Sequence, residues 1–337
     1  MVNEQSAQSP SSGRRGDPAA LVRAVREGDR VALGRLLSLV EEAGDSAGPI
    51  DRLVMLDWPA SVIGVTGPPG AGKSTLTDAL VSEVRAEGRR VAVLAIDPSS
   101  PVSGGAILGD RVRMNGHSAD TGVFIRSVAT RGASGGLTTT VSAILRVIAA
   151  AGFDTVLLET VGVGQIELDV AAVADTVLVV VTPGAGDEVQ AVKAGVLEIA
   201  SVFVLNKADL EGAAQAEADL LAALSLGRQL SGGDSSEWVV PVLRTVARSR
   251  DGIRAVVDAV AAHSQWIAES GRVELVRLER RRRELASRVE QAFLSAATRV
   301  VDSPAFSEMV EAVMAGDRSV GDALQSLVTD PSVRPPS

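Results

Sequence analysis

Gly67-Pro68-Pro69-Gly70-Ala71-Gly72-Lys73-Ser74-Thr75 is the stretch from which the rest of the chain is read. It fits G-x-x-x-x-G-K-[ST] and follows directly on the apolar run Ser61-Val62-Ile63-Gly64-Val65. In such a turn the glycines let the backbone N–H groups converge on phosphate oxygens. Lys73 then neutralises the β and γ phosphates, and the Ser74 hydroxyl is placed to ligate Mg2+. A helix opening near Lys73 adds the positive end of its dipole. Residues 67–75 therefore read as a phosphate cradle between a strand and a helix.

Working outward, the helix is expected over Ser74 to Glu87, closed by Gly88, and the strand Arg90 to Ile96 follows. Strand, helix, strand begins a doubly wound α/β fold of the P-loop NTPase class, a mostly parallel sheet with helices on both faces. Further strands are expected at Val123 to Val128, Thr155 to Glu159, Thr176 to Val181, Val202 to Leu205 and Trp238 to Leu243. Several are near-continuous Val/Leu runs, as parallel strands covered on both faces require. Upstream, Pro18 to Ala43 carries apolar residues at helical spacing broken by Glu27-Gly28-Asp29, a helical hairpin. Ile253 to Arg299 is long and helical, and Glu308 to Val328 adds a last helical piece.

This divides the chain into a polar tail over 1–17, an N-terminal helical extension over 18–50 and a nucleotide domain over 51–268. A C-terminal helical arm over 269–330 and a frayed end over 331–337 complete it. The tail lacks the apolar centre of a secretory signal and no run is long enough to span a membrane, so a cytoplasmic protein is expected. With 337 residues, 46% of them hydrophobic, the chain can bury a sizeable core, and zero cysteines remove disulfides and thiolate metal sites. Acidic residues outnumber basic ones 42 to 33 and aromatics make up only 2%, which argues against nucleic acid as a main partner. The basic run Arg280 to Arg283 is flanked by Glu279 and Glu284. It reads as a solvated or interface helix face shared by Arg277, Arg280 and Arg281.

The base is chosen farther along, at Asn206-Lys207-Ala208-Asp209, which closes a buried strand. Asp209 can accept from both the N1–H and the 2-amino group of guanine, Lys207 packs over the base, and Asn206 ties the loop. Adenine lacks that donor pair and would leave the carboxylate unpaired. Arg244-Thr245-Val246-Ala247 occupies the place of the last guanine loop, with the backbone N–H groups of Val246 and Ala247 as candidates for the guanine O6. Glu159-Thr160-Val161-Gly162 stands where an acid at a strand tip can hold a Mg2+ water and a glycine N–H can meet the γ phosphate. Asp97 ends another strand and Asp110 lies in the Gly-rich segment behind it. Ser74 with one or two of these acids suffices for Mg2+, although capping or loop solvation competes for each acid taken alone.

Asp97-Pro98-Ser99-Ser100-Pro101, Gly104 through Met114, and Glu159-Thr160-Val161-Gly162-Val163-Gly164-Gln165 resemble the signature blocks of the MeaB/ArgK family. That family includes the human methylmalonic aciduria type A protein, and the likeness runs over about residues 18 to 330. The resemblance implies a homodimeric GTPase chaperone of adenosylcobalamin-dependent acyl-CoA mutases, chiefly methylmalonyl-CoA mutase. It puts the Mg2+ acids on Asp97, Asp110 and Glu159 beside Ser74. It also implies switches over Asp97 to Met114 and after Glu159, and a third over Pro183 to Lys193. Lys73, Glu159 and Gln165, the last as the residue that positions water, form the expected catalytic set; Arg111, Arg113 and Arg131 are the arginine-finger candidates. Three rivals are weighed beside this reading. A nickel-insertion GTPase needs soft or imidazole ligands, against zero Cys and the isolated His117 and His263. A GTP-gated scaffold without hydrolysis conflicts with intact Lys73, Ser74 and Glu159, and a kinase or transport ATPase conflicts with Asp209.

Overall fold

The structure, a computed structural model, describes residues 17–43, 48–97, 115–117, 119–129, 136–160, 170–184, 196–230 and 237–329. The chain opens with α1 (Pro18–Arg26), started by Pro18 and by the Asp17 carboxylate, which accepts from Ala19 N–H at 3.1 Å. Gly28, at φ 93°, reverses the chain, and Asp29 caps α2 (Arg30–Ala43) by accepting from Val31 and Ala32 N–H at 2.8 and 3.1 Å. After α3 (Gly48–Val54) come β1 (Ser61–Thr66), α4 (Lys73–Ala86), β2 (Val91–Asp97), β3 (Val123–Ala129), α5 (Gly136–Ala150), β4 (Thr155–Thr160) and β5 (Thr176–Val181). The short α6 (Val196–Ile199), β6 (Val202–Asn206), α7 (Ala213–Leu230), β7 (Val242–Thr245) and α8 (Ile253–Glu269) complete the nucleotide unit. Then α9 (Val273–Val301), α10 (Pro304–Met314) and α11 (Val320–Thr329) follow.

Seven parallel strands pair in the order β3-β2-β4-β1-β5-β6-β7. Alternation along each strand splits the core by face. Val62, Leu94, Val156 and Leu158 join one cluster, whereas Ile63, Val65, Val93 and Leu157 join the other, which α4 and α8 cover with Leu76, Leu80, Val256 and Val260. On the first face the cover comes from α5 together with the N-terminal hairpin. Val25, Leu33, Leu36 and Leu37 belong to the same buried cluster as Val62, so the extension is built into the sheet's core. The boundary expected between residues 50 and 51 falls inside α3.

Three expectations are corrected. The strand expected over Trp238 to Leu243 is β7, only Val242–Thr245. Trp238 is held instead by its side chain: Nε1 donates to Ser201 O at 2.7 Å, and its ring meets His263 edge-on at 4.9 Å. The helix expected over Ile253 to Arg299 is two helices, broken at Ser270-Gly271-Arg272, where Gly271 takes φ 68°. The solvated basic face is corrected at Arg280. This residue is buried, ion-paired with Asp175 just ahead of β5, and its guanidinium lies 4.5 Å over the Trp58 ring. Arg277 stays exposed, and Arg281 bridges Glu284 at 3.2 Å and Met55 O at 3.0 Å. Asp175 also accepts from Val62 N–H at 2.8 Å. Burial pushes its carboxyl above the usual carboxylate range, and Arg280 pulls against that shift.

His263, on α8, is buried beside Trp266, its Nδ1 2.9 Å from Thr176 Oγ1, and burial depresses its pKa from 6.5 to about 4. Between those values the unfolded chain takes up a proton that the folded one refuses. Its contribution is therefore intact above pH 6.5 and is lost as pH falls toward 4. Urea melts are expected to show stability falling through that window by up to about 1.4 kcal/mol per pH unit, and His263→Gln is expected to flatten the slope.

Candidate functional site

The cradle is shaped by two close approaches. Gly67 takes φ 136°, and a Cβ there would lie 2.0 Å from Val180 O on β5; Gly72 takes φ 89°, and a Cβ there would lie 2.4 Å from Asn206 Nδ2. Neither position admits a side chain without moving β5 or the Asn206 amide. Lys73 begins α4, is 6% exposed, and its Nζ donates to Gly67 O at 2.7 Å and Pro68 O at 2.9 Å. A lysine folded back over the cradle's own carbonyls sits where arriving phosphate oxygens can replace those carbonyls as acceptors.

β4 and β1 are paired, with Val65 opposite Glu159, so the acid at the tip of β4 stands beside the cradle. Glu159 is buried and accepts a hydrogen bond from the Ser74 hydroxyl. Glutamate, with one methylene more than aspartate, reaches from the strand tip to the first turn of α4. Next to it, Thr160 Oγ1 donates to Thr66 Oγ1 at 3.1 Å, fixing the two strand tips that carry Glu159 and Gly67. Sequence reasoning missed this pair; its signal is a threonine at the end of each of two apolar runs. The backbone of Asp97 ends β2, one residue beyond Ile96, the partner of Thr160. Asp110 and Gln165 lie outside the described residues, as do Arg111, Arg113, Arg131, Gly162 and residues 185–195 of the third expected switch.

The two nucleotide loops meet at Asn206. Its Nδ2 donates to Ala71 O at 2.8 Å, and its Oδ1 accepts from Ala247 N–H at 3.0 Å and from Thr245 Oγ1 at 3.2 Å. One buried amide thus joins the cradle, the end of β6 and the loop after β7, a threefold use that suits Asn, whose amide both donates and accepts. Lys207, at φ 56°, donates from Nζ to Gly70 O at 2.8 Å, and Asp209 is exposed on the same turn. In the last loop Val246 N–H donates to Asp251 O at 3.0 Å and Ala247 N–H to Asn206 Oδ1 at 3.0 Å, so both N–H groups expected to face guanine O6 have partners within the protein. A cavity of about 360 Å³ opens between these parts, lined by Pro69, Gly70, Lys73, Ser74, Glu159 and Lys207 among others.

The sequence profile of the family described as "Methylmalonyl Co-A mutase-associated GTPase MeaB" matches residues 33–302. The chain belongs to the MeaB family of GTPases. A Pyrococcus abyssi relative is 44% identical over 302 residues, spanning 88% of this chain and 91% of its own. The Escherichia coli GTPase ArgK is 35% identical over 285 residues, 82% of this chain and 85% of its own. The crystal structure of a LAO/AO transport system kinase shares the fold with TM-score 0.64 over 94% of this chain and 98% of that one, at 24% identity. MeaB membership makes this protein a GTP-binding, GTP-hydrolysing enzyme on a P-loop fold. Among the described residues no helix is long and apolar enough to cross a membrane.

Proposed function

We propose that this GTPase is a chaperone of an adenosylcobalamin-dependent acyl-CoA mutase, most directly methylmalonyl-CoA mutase, and that its GTP cycle gates cofactor loading and protects or reactivates the mutase. The matched family's description, which names that mutase as the associate, supports the partner. The observation that carries the nucleotide half is Asn206, which welds the phosphate cradle to the loop bearing Asp209. Triphosphate and base are thereby read by one rigid unit.

In this reading water attacks the γ phosphate in line, positioned by Gln165, while Lys73 and the cradle N–H groups stabilise the charge that develops. Asp209 selects guanine. The Ser74 hydroxyl and Glu159 carboxylate are oxygen donors already in contact, which suits Mg2+, and Asp97 and Asp110 complete the proposed set. Bound there, Mg2+ would offset charge on the phosphate oxygens. The homodimer and the C-terminal arm over 269–330 belong to the same proposal. Leu278, Leu285, Val289 and Phe293 are exposed at spacings of seven, four and four along α9, an unpartnered apolar stripe that supports an interface between copies. A cytoplasmic site of action completes the reading.

The test exchanges the base. Asp209→Asn is expected to weaken GTP by about a hundredfold and to favour xanthosine triphosphate, whose 2-oxo group accepts from the new amide. Turnover is then measured with and without the mutase. Mutase-stimulated hydrolysis is expected to move from GTP to the xanthine nucleotide along with the substitution. A rate indifferent to the mutase in both proteins would remove the partner from this reading, while an unchanged preference for GTP would remove Asp209 from its role.

A further inference from the structure

A second cavity, of about 620 Å³, lies at the opposite end of the sheet from the cradle. Its lining includes Ala60, immediately ahead of β1, and Asp175, immediately ahead of β5. The six residues of β1 separate it from the cradle, roughly 20 Å at strand rise. Its walls come from three parts of the chain: Leu56 and Trp58 between α3 and β1, Ile267 near the end of α8, and Val273 and Val276 in the first turn of α9. It therefore fills the elbow between the nucleotide unit and the C-terminal helices.

Two properties single it out. Its volume lies within the range of small-molecule cavities, and its lining sets apolar side chains, Leu56, Trp58 and Val276 among them, beside convergent charged groups. Those groups are unequal. Arg280 is committed to Asp175, so the deepest charge is neutralised. Arg277 and Arg281 are 66% and 50% exposed at the rim, and Arg277 pairs with Glu274, itself 83% exposed on the same turn, a surface pairing that another anion readily exchanges. Beside them Leu56 is 88% exposed, an apolar side chain held in water at the mouth. In a protein of net charge −9, a hollow that sets apolar side chains beside exposed guanidinium groups selects a particular chemistry.

We propose that this elbow cavity binds a small soluble amphiphile, an apolar chain ending in one carboxylate or phosphate, with the head on Arg277 and Arg281 and the chain against Leu56, Trp58 and Val276. Such a ligand touches α9 and the approach to β1 together, and so fixes the angle at which the C-terminal helices leave the nucleotide unit. The site is independent of GTP and of any mutase.

Calorimetric titration of the full chain with octanoate tests it, with octan-1-ol and octylammonium as controls for the head group and anionic phospholipid vesicles as the control for source. Octanoate is expected to bind saturably, the alcohol about tenfold or more weakly and the ammonium not at all. Arg277→Glu, at an exposed position, and Ala60→Trp, which fills the hollow, are both expected to abolish the octanoate heat while GTP binding persists. Equal binding of octanoate and octanol, undiminished binding by Arg277→Glu, binding to vesicles only, or no heat with octanoate would each overturn the proposal; if Ala60→Trp fails to fold, Arg277→Glu decides alone.

Discussion

Lys73→Ala is expected to lower GTP turnover by about a thousandfold with little change in melting temperature. Lys73 is 6% exposed and its ammonium is held by two carbonyls of the cradle, so its position is set before nucleotide arrives. A prepositioned charge acts on the transition state without reorganising, and removing one such group in a water-poor site costs about 3 to 4 kcal/mol of barrier. The fold loses little, because Gly67 is shaped by its φ and by the approach to β5 rather than by the lysine, and Pro68 O also accepts from Ala71 N–H at 3.3 Å. Single-turnover phosphate release at saturating GTP is the measurement. A rate within about tenfold of the parent would remove Lys73 from charge stabilisation.

Glu284→Ala is expected to destabilise the protein by roughly 3 kcal/mol, read as a shift of the urea midpoint. Arg146 on α5 is 1% exposed and ion-pairs with both Asp51 of α3 and Glu284 of α9, and Arg288 holds the same two acids at 2.9 and 3.3 Å. Removing Glu284 leaves a buried guanidinium with one carboxylate for two. The double variant Arg146→Met with Glu284→Leu removes the charge as well as its partner. It is expected to recover most of the loss, because the desolvation of both ions disappears with them. A double variant no more stable than Glu284→Ala would show that the pair itself, rather than its desolvation, governs stability there.

Much of the nucleotide unit was legible because its signals are local. The cradle, the Asn206-Lys207-Ala208-Asp209 turn and the acid at Glu159 each sit directly behind an apolar run, and a buried parallel strand announces itself by composition without reference to its partners. What failed was decided by distant contacts. Trp238 looked like the start of a strand because it precedes Val and Leu; its indole is spent on Ser201 and His263, far away in sequence. Arg280 looked solvated among its charged neighbours, and only the packing of α9 on the strand bases delivers it to Asp175 and Trp58.

The sequence by itself therefore determined the strand–cradle–helix unit, the parallel α/β class, the choice of guanine and the family, since each rests on spacing within a few residues. The tertiary structure alone decided that Asn206 ties the cradle to the loop after β7 and that the N-terminal hairpin is part of the sheet's core. It also decided that Arg146 and Arg280 are buried, each paired with carboxylates from distant parts of the chain. The physical reason is that burial and hydrogen-bond satisfaction depend on groups brought together across as many as about a hundred residues or more. A pattern read along the chain carries the preferences of each residue but not the partner that will satisfy it.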